Sequence, residues 1–183
     1  MGQTLLLTGR PGVGKTTVIK AVVEALGPRA GGFYTEEIRG PGGRKGFRLI
    51  TLDGEEAVMA HVEFRGPRYP RVSRYGVDVE AIAQVGVEAL RRAMRSGRII
   101  VVDEIGKMEL FCGSFKETVL QAISGPYIVL ATVMAHPHPW TDALKALPTL
   151  TLWEVTVENR TGMPERVRRW IEQVTRSAAG VTP

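Results

Sequence analysis

Apolar positions along this chain switch repeatedly between two periods. Gln3–Thr8 holds an unbroken apolar run, Leu5 to Leu7, which reads as a strand buried on both faces. Thr16–Leu26 then places Val18, Ile19, Val22, Val23 and Leu26 along one helical face, and Gly27-Pro28 ends it. Three strand-like runs follow, Gly32–Ile38, Gly46–Leu52 and Glu55–His61. Gly40-Pro41-Gly42-Gly43 and Asp53-Gly54 between them are turn signals, so these runs predict hairpins. The Arg-, Pro- and Tyr-rich stretch from Arg65 to Tyr75 predicts an ordered surface loop.

Asp78 is placed to cap a helix running to Ser96, with Ile82, Val85, Ala89, Leu90 and Ala93 inward and Gly97 closing it. Arg98–Asp103 predicts a second doubly buried strand. Ser114 and Glu117 have capping-box spacing at the head of a helix to Ser124. Then come a strand at Tyr127–Thr132, a short helix near Thr141–Leu147 and a strand at Thr149–Val157. In the last helix Pro164 falls in the first turn, and Val167, Trp170, Ile171 and Val174 form the inner face. Strands alternating with helices predict an α/β fold: a mainly parallel, twisted sheet with helices on both faces. The three hairpin runs predict an antiparallel excursion beside that sheet, after the first helix. With 183 residues, 44% of them hydrophobic, and no linker or repeat, the expectation is one domain spanning residues 1–183.

Between the first strand and the first helix stands Gly9-Arg10-Pro11-Gly12-Val13-Gly14-Lys15-Thr16, followed by Thr17. Two glycines bracketing four residues, then Lys and Thr, form the phosphate-cradling P-loop pattern, here in its strand–loop–helix context. Backbone N–H groups and a helix N-terminus would surround a polyphosphate. Gly9 and Gly14 are expected to take backbone angles closed to other residues, and Gly12 to keep a side chain away from the phosphates. Lys15 would reach the β- and γ-phosphates, and the Thr16 hydroxyl would ligate Mg²⁺.

Such a loop needs a second metal-orienting group, and Ile99-Ile100-Val101-Val102-Asp103-Glu104 supplies one. The apolar run places Asp103 at the carboxyl end of a central strand, where open parallel sheets bind ligands. Asp103 is therefore expected to hold Mg²⁺ with Thr16. Glu104 directly after it would face the γ-phosphate and act on a water as general base, kept ionised by Lys15 and the metal. Gly106 lets the next turn pass close to the nucleotide, and Lys107 is a candidate phosphate contact. Arg10, Arg39, Arg44, Arg48, Arg74 and Arg160 are the candidates for balancing transition-state charge, with Arg39, Arg44 and Arg48 able to form a basic lid.

These residues resemble the small P-loop nucleoside-triphosphatase family first described in thermophiles, with a vertebrate member called cancer-related nucleoside triphosphatase. Besides Gly9–Thr17, the resemblance is carried by Gly32-Phe33-Tyr34-Thr35-Glu36-Glu37-Ile38-Arg39, by Val102-Asp103-Glu104-Ile105-Gly106-Lys107-Met108-Glu109-Leu110 and by Val155-Thr156-Val157-Glu158-Asn159-Arg160. It covers nearly the whole chain, and Ala135–Trp140 is the least family-like stretch. The resemblance implies Mg²⁺-dependent hydrolysis of nucleoside triphosphates to diphosphates with broad base tolerance. It also implies nucleotide contacts from Gly9, Arg10, Pro11, Gly12, Val13, Gly14, Lys15, Thr16 and Thr17, and from Ile100, Val101, Val102, Asp103, Glu104, Ile105, Gly106 and Lys107.

Charge and cysteine content narrow the classes. A net charge of +5 suits a polyanionic ligand, but the basic residues are scattered without interleaved aromatics, so a nucleic-acid or protein partner has no direct support. One cysteine, Cys112, no apolar stretch of bilayer length, and a P-loop beginning nine residues in predict a cytoplasmic chain without signal peptide or membrane span. Two other classes compete with hydrolysis. A nucleotide or small-molecule kinase uses the same loop, but no arginine-rich lid follows Asp103 and no acceptor pocket is evident. A nucleotide-timed binding module is the third.

Overall fold

The computed structural model describes residues 2–178 and 180. In chain order it has β1 (Gln3–Thr8), α1 (Lys15–Leu26), β2 (Ala30–Gly40), β3 (Gly43–Thr51), β4 (Glu56–His61), β5 (Arg71–Val72) and β6 (Tyr75–Val77). A continuous helical run follows, made of α2 (Val79–Ala81), a π-helical segment (Ile82–Val87) and α3 (Glu88–Arg95). The remainder is β7 (Ile99–Ile105), α4 (Gly113–Ser124), β8 (Ile128–Val133), α5 (Pro139–Lys145), β9 (Leu150–Glu154) and α6 (Met163–Ala178).

The nine strands form one sheet in the order β5-β6-β4-β3-β2-β7-β8-β1-β9. From β2 to β9 all neighbours are parallel, while β3, β4, β6 and β5 pair antiparallel. The hairpins therefore extend the sheet rather than lying beside it. The hinge between the two regimes is β2. Its first residues, Ala30 to Phe33, pair parallel with Ile99 to Val102, and from Phe33 onward it pairs antiparallel with β3.

Alternation along the parallel strands feeds two cores, one per face. Leu6, Ile100 and Val102 point into the larger core with the helical run over residues 79–95, α4 and α5. Leu5, Leu7, Ile99 and Val101 point into the other, under α1 and α6. Phe33 and Tyr34 split the same way, Phe33 lying with its ring centroid 6.3 Å from that of Phe115. At the far end of the sheet Arg98 holds Asp53, in the β3–β4 turn, through two hydrogen bonds (2.7 and 3.2 Å). Arg92 approaches Asp53 and Glu55 as an ion partner at 3.4 and 3.0 Å, without hydrogen-bond geometry.

Several expectations are corrected. The stretch from Arg65 to Tyr75 is not wholly loop, because Arg71-Val72 pairs with Tyr75-Gly76. The helix capped by Asp78 does form, with the Asp78 carboxylate accepting from the Ala81 N–H at 3.0 Å, but it widens into a π-segment where Gly86 meets the sheet. A Cβ at Gly86 would stand 2.7 Å from Leu49 Cδ1 and 3.4 Å from the Phe33 ring, so the missing side chain is what lets the helix approach. The Ser114–Glu117 capping box does not form. The helix starts two residues earlier, Cys112 takes the cap position, and the Ser114 hydroxyl meets the Cys112 sulfur at 3.3 Å. The ninth strand stops at Glu154, because the Asn159 side chain pulls residues 154–160 into a turn. Among the described residues, no helix is long and apolar enough to cross a membrane.

Candidate active site

The C-terminal ends of β1, β7 and β2 open into one cavity of about 720 Å³. Gly9, Pro11, Gly12, Gly14, Lys15, Thr16 and Thr17 line it from the loop after β1, and Glu104, Gly106 and Lys107 from the end of β7. Gly14 is the cap residue of α1, with φ of 114°, which turns the chain into the helix and leaves the first N–H groups facing the cavity. Gly12 has φ of 76°, a conformation that favours glycine, and a Cβ there would meet no protein atom within 4 Å.

Lys15 is 8% exposed. Its ammonium donates to the Gly9 carbonyl at 2.8 Å and lies 3.7 Å from Glu104 Oε2. The Thr16 hydroxyl donates to Asp103 Oδ2 at 2.8 Å, and the Thr132 hydroxyl from β8 donates to Oδ1. The Thr35 backbone N–H also pulls the Asp103 carboxyl down. Burial pushes the Asp103 carboxyl above its ordinary range, against the pull of these donors and of Lys15. Two hard oxygen donors, a hydroxyl and a carboxylate whose charge is costly without a counterion, fit Mg²⁺. Thr16 and Asp103 are the residues that would hold it.

Glu104 follows Asp103 and faces Lys15. Burial raises its carboxyl, the Lys15 charge pulls it down, and Asp103 pushes it up again. Without a metal, Lys15 does not suffice to keep it at an ordinary value. The peptide joining Asp103 to Glu104 is cis.

A third carboxyl, which sequence reasoning quoted only as part of a motif, completes the floor. Glu109 lines the cavity at 4% exposure. Its Oε2 and Glu104 Oε1 stand 3.1 and 3.0 Å from the point a Gly106 Cβ would occupy. Burial, with Glu104 and Asp103 adding to it, raises Glu109 to about 8. The available signal was an acid set between Met108 and Leu110, an apolar context unusual for a solvated glutamate.

The remaining candidates separate. Ile100, Val101, Val102 and Ile105 are core residues at 0–1% exposure, and Val13 packs in the core under the loop, so these five shape the site without lining the cavity. Arg10 is exposed on the loop and contributes its carbonyl, 3.4 Å from the Lys15 ammonium. Arg39 and Arg44 are bound to Glu37, and Arg48 to Glu36 and Glu56, so the three arginines expected as a basic lid are already ion-paired on the hairpin. Lys20 also holds Glu36. Arg74 is engaged with Tyr75 and the Arg44 carbonyl. Only Arg160 among the distant candidates is brought onto the P-loop. It donates to the Val13 carbonyl at 3.3 Å, and its Cδ is 3.6 Å from a Cβ position on Gly14. Asn159 builds the turn that aims it, through Thr156 N–H (2.9 Å) and the Glu154 carbonyl (2.8 Å).

With this geometry in view, comparison with known proteins is informative. A family model described as NTPase matches residues 4–168. The nucleoside-triphosphatase THEP1 of Thermotoga petrophila is 40% identical over 163 residues, 89% of each chain. The crystal structure of THEP1 from Aquifex aeolicus superposes with a TM-score of 0.82 at 38% identity, covering 91% of this chain and 96% of that one. The solution structure of a human cancer-related nucleoside triphosphatase gives 0.80 at 34% identity, covering 93% and 98%. The P-loop, the paired acids near the end of β7 and the Asn159–Arg160 turn thus sit in a fold shared along nearly its whole length, and the chain belongs to the NTPase family.

Proposed function

We propose that the protein hydrolyses nucleoside triphosphates to diphosphates and phosphate in a Mg²⁺-dependent reaction with broad base tolerance. The observation that carries this reading is the meeting of Lys15 and Glu104 across 3.7 Å at the mouth of the P-loop. A cation for the terminal phosphate and a carboxylate for the attacking water are two groups that hydrolysis at the γ-phosphorus needs close together.

The amides at the head of α1 and the Lys15 ammonium bind and orient the polyphosphate. Thr16 and Asp103 would hold Mg²⁺, which would supply positive charge to offset that of the phosphates. Glu104 takes a proton from the water whose oxygen bonds to the γ-phosphorus, and the electron pair of the broken bridge stays with the diphosphate. Arg160, lying across the loop, is the arginine best placed to meet phosphate charge. The recognised groups are phosphates rather than base edges, which supports broad base tolerance. The relatives' names, each a nucleoside triphosphatase, agree with this reading. A reducing compartment, the cytoplasm, suits the single buried thiol of Cys112.

The test is phosphate release by Glu104→Gln. The variant should bind nucleotide with affinity close to that of the parent and lose about 10²–10⁴ in turnover. Undiminished phosphate release would remove Glu104 as the base.

A further inference from the structure

Glu109 is a buried acid that the hydrolytic step leaves unused. It is 4% exposed and lines the cavity, and among the described residues no side chain forms a hydrogen bond or ion pair with it. The backbone N–H groups of Gly106 and of Glu109 itself pull its carboxyl down, but burial, Glu104 and Asp103 outweigh them. A carboxylate buried without a cation is costly, whereas a protonated carboxyl is a hydrogen-bond donor in search of an acceptor.

The acceptor is at hand. The two oxygens of Glu104 face different neighbours. Oε2 stands 3.7 Å from the Lys15 ammonium. Oε1 stands 3.0 Å from the point a Gly106 Cβ would occupy, and Glu109 Oε2 stands 3.1 Å from that same point. Gly106 presents only hydrogen where the two carboxyls converge. Two carboxylates this close repel if both ionise, while one proton between them gives a charge-assisted O–H···O bond. The partners are unequal. The Glu104 side chain is 33% exposed and has Lys15 beside it, and Glu109 has neither water nor cation, so the charge belongs to Glu104 and the proton to Glu109.

We propose that Glu109 is a positioning residue for hydrolysis: as the neutral acid it donates to Glu104 Oε1, fixes the rotation of that carboxyl, and leaves Oε2 to meet the attacking water beside Lys15. This rests on the reading of Glu104 as the general base. In the step, the water proton goes to Glu104 Oε2 as the water oxygen bonds to the γ-phosphorus. The electron pair of the broken bridge leaves with the diphosphate, and the Glu109 proton stays in place. The contribution therefore falls on turnover and not on affinity, because the phosphates are held by the P-loop.

The experiment compares Glu109→Leu and Glu109→Gln with the parent, in phosphate release and in calorimetry with a non-hydrolysable triphosphate and Mg²⁺. Leucine fills the space without a donor and should lower kcat about 10- to 100-fold, with Kd within about twofold of the parent. Glutamine offers an amide N–H to the same oxygen and should keep kcat within about threefold. In the Glu104→Gln protein, where no base is left to aim, Glu109→Leu should cost at most about a further twofold. Gly106→Ala puts a methyl group where the carboxyls converge and should lower kcat about tenfold with Glu109 still in place. Urea unfolding establishes that each variant is folded. Parent-like kcat in Glu109→Leu or in Gly106→Ala, glutamine no better than leucine, or a loss undiminished in the Glu104→Gln protein overturns the positioning role and leaves Glu104 as the base. Undiminished phosphate release by Glu104→Gln alone removes the base, and the positioning role with it.

Discussion

Replacing Glu109 by Gln should make the protein gain stability, relative to the parent, as pH rises. Glu109 is 4% exposed and its carboxyl is raised from 4.5 to about 8 by burial and by Glu104 and Asp103. In the unfolded chain it ionises near 4.5, so between these values the folded state holds a proton that the unfolded state has lost. Stability from this group is fully present below pH 4.5 and is lost as pH rises to about 8. At about 1.4 kcal/mol per pH unit, the whole span amounts to about 5 kcal/mol. Glutamine keeps the shape and does not titrate. Urea unfolding of both proteins at a series of pH values from 5 to 8, with chelator and no nucleotide, should show the difference in free energy growing in favour of Glu109→Gln by about 1.4 kcal/mol per unit. A difference that stays flat across the range would mean that Glu109 ionises in the fold as it does in water, and the account of the cavity floor would be wrong.

Burial and Asp103 raise Glu104 against the pull of Lys15, so in the protein with chelator and no nucleotide its carboxylate should titrate, by difference infrared spectroscopy against Glu104→Gln, above the ordinary value of 4.5; titration at or below 4.5 would refute this. Asn159→Ala removes the side chain that shapes the turn behind the P-loop and should cost about 1–3 kcal/mol in urea unfolding. The same change should weaken nucleotide binding by letting Arg160 drift, which calorimetry with a non-hydrolysable triphosphate would detect. Arg98→Ala breaks the two-pronged bond to Asp53, whose carboxyl Arg98 holds below its ordinary 3.8. The loss should be about 1–2 kcal/mol at neutral pH, present above 3.8 and fading as Asp53 protonates below it, as followed by unfolding at pH 7 and pH 3.

Much of the phosphate end was legible because its chemistry is local. Gly12, Gly14, Lys15 and Thr16 follow one another, and the apolar run before Asp103 announces a buried strand whose end must carry the acid. The union of Thr16 with Asp103 followed from the two motifs together. Glu109 was hidden because its burial depends on how the turn after β7 folds back under Glu104, a contact between neighbours on no common periodicity. Thr132 was hidden because it acts only through the strand order, which puts β8 beside Asp103. The arginines of the hairpin misled in the opposite sense. Arg44 and Arg48 read as free cations, and only the antiparallel register shows Glu36 directly across from Arg48. The two short strands β5 and β6 were illegible because pairs of two or three residues leave no period to detect.

The place of β8 has a further consequence. Because it runs between β1 and β7, the loop that grips phosphate and the strand that ends in two acids stand two strand spacings apart, roughly 9–10 Å. Side chains bridge that gap, the Lys15 ammonium reaching to 3.7 Å from Glu104 and the Thr16 hydroxyl to 2.8 Å from Asp103. The intervening strand acts as a shim whose thickness is set by backbone hydrogen bonding, so the backbone separation of loop and acids is a property of the sheet, and side-chain length decides how closely their polar ends meet across it.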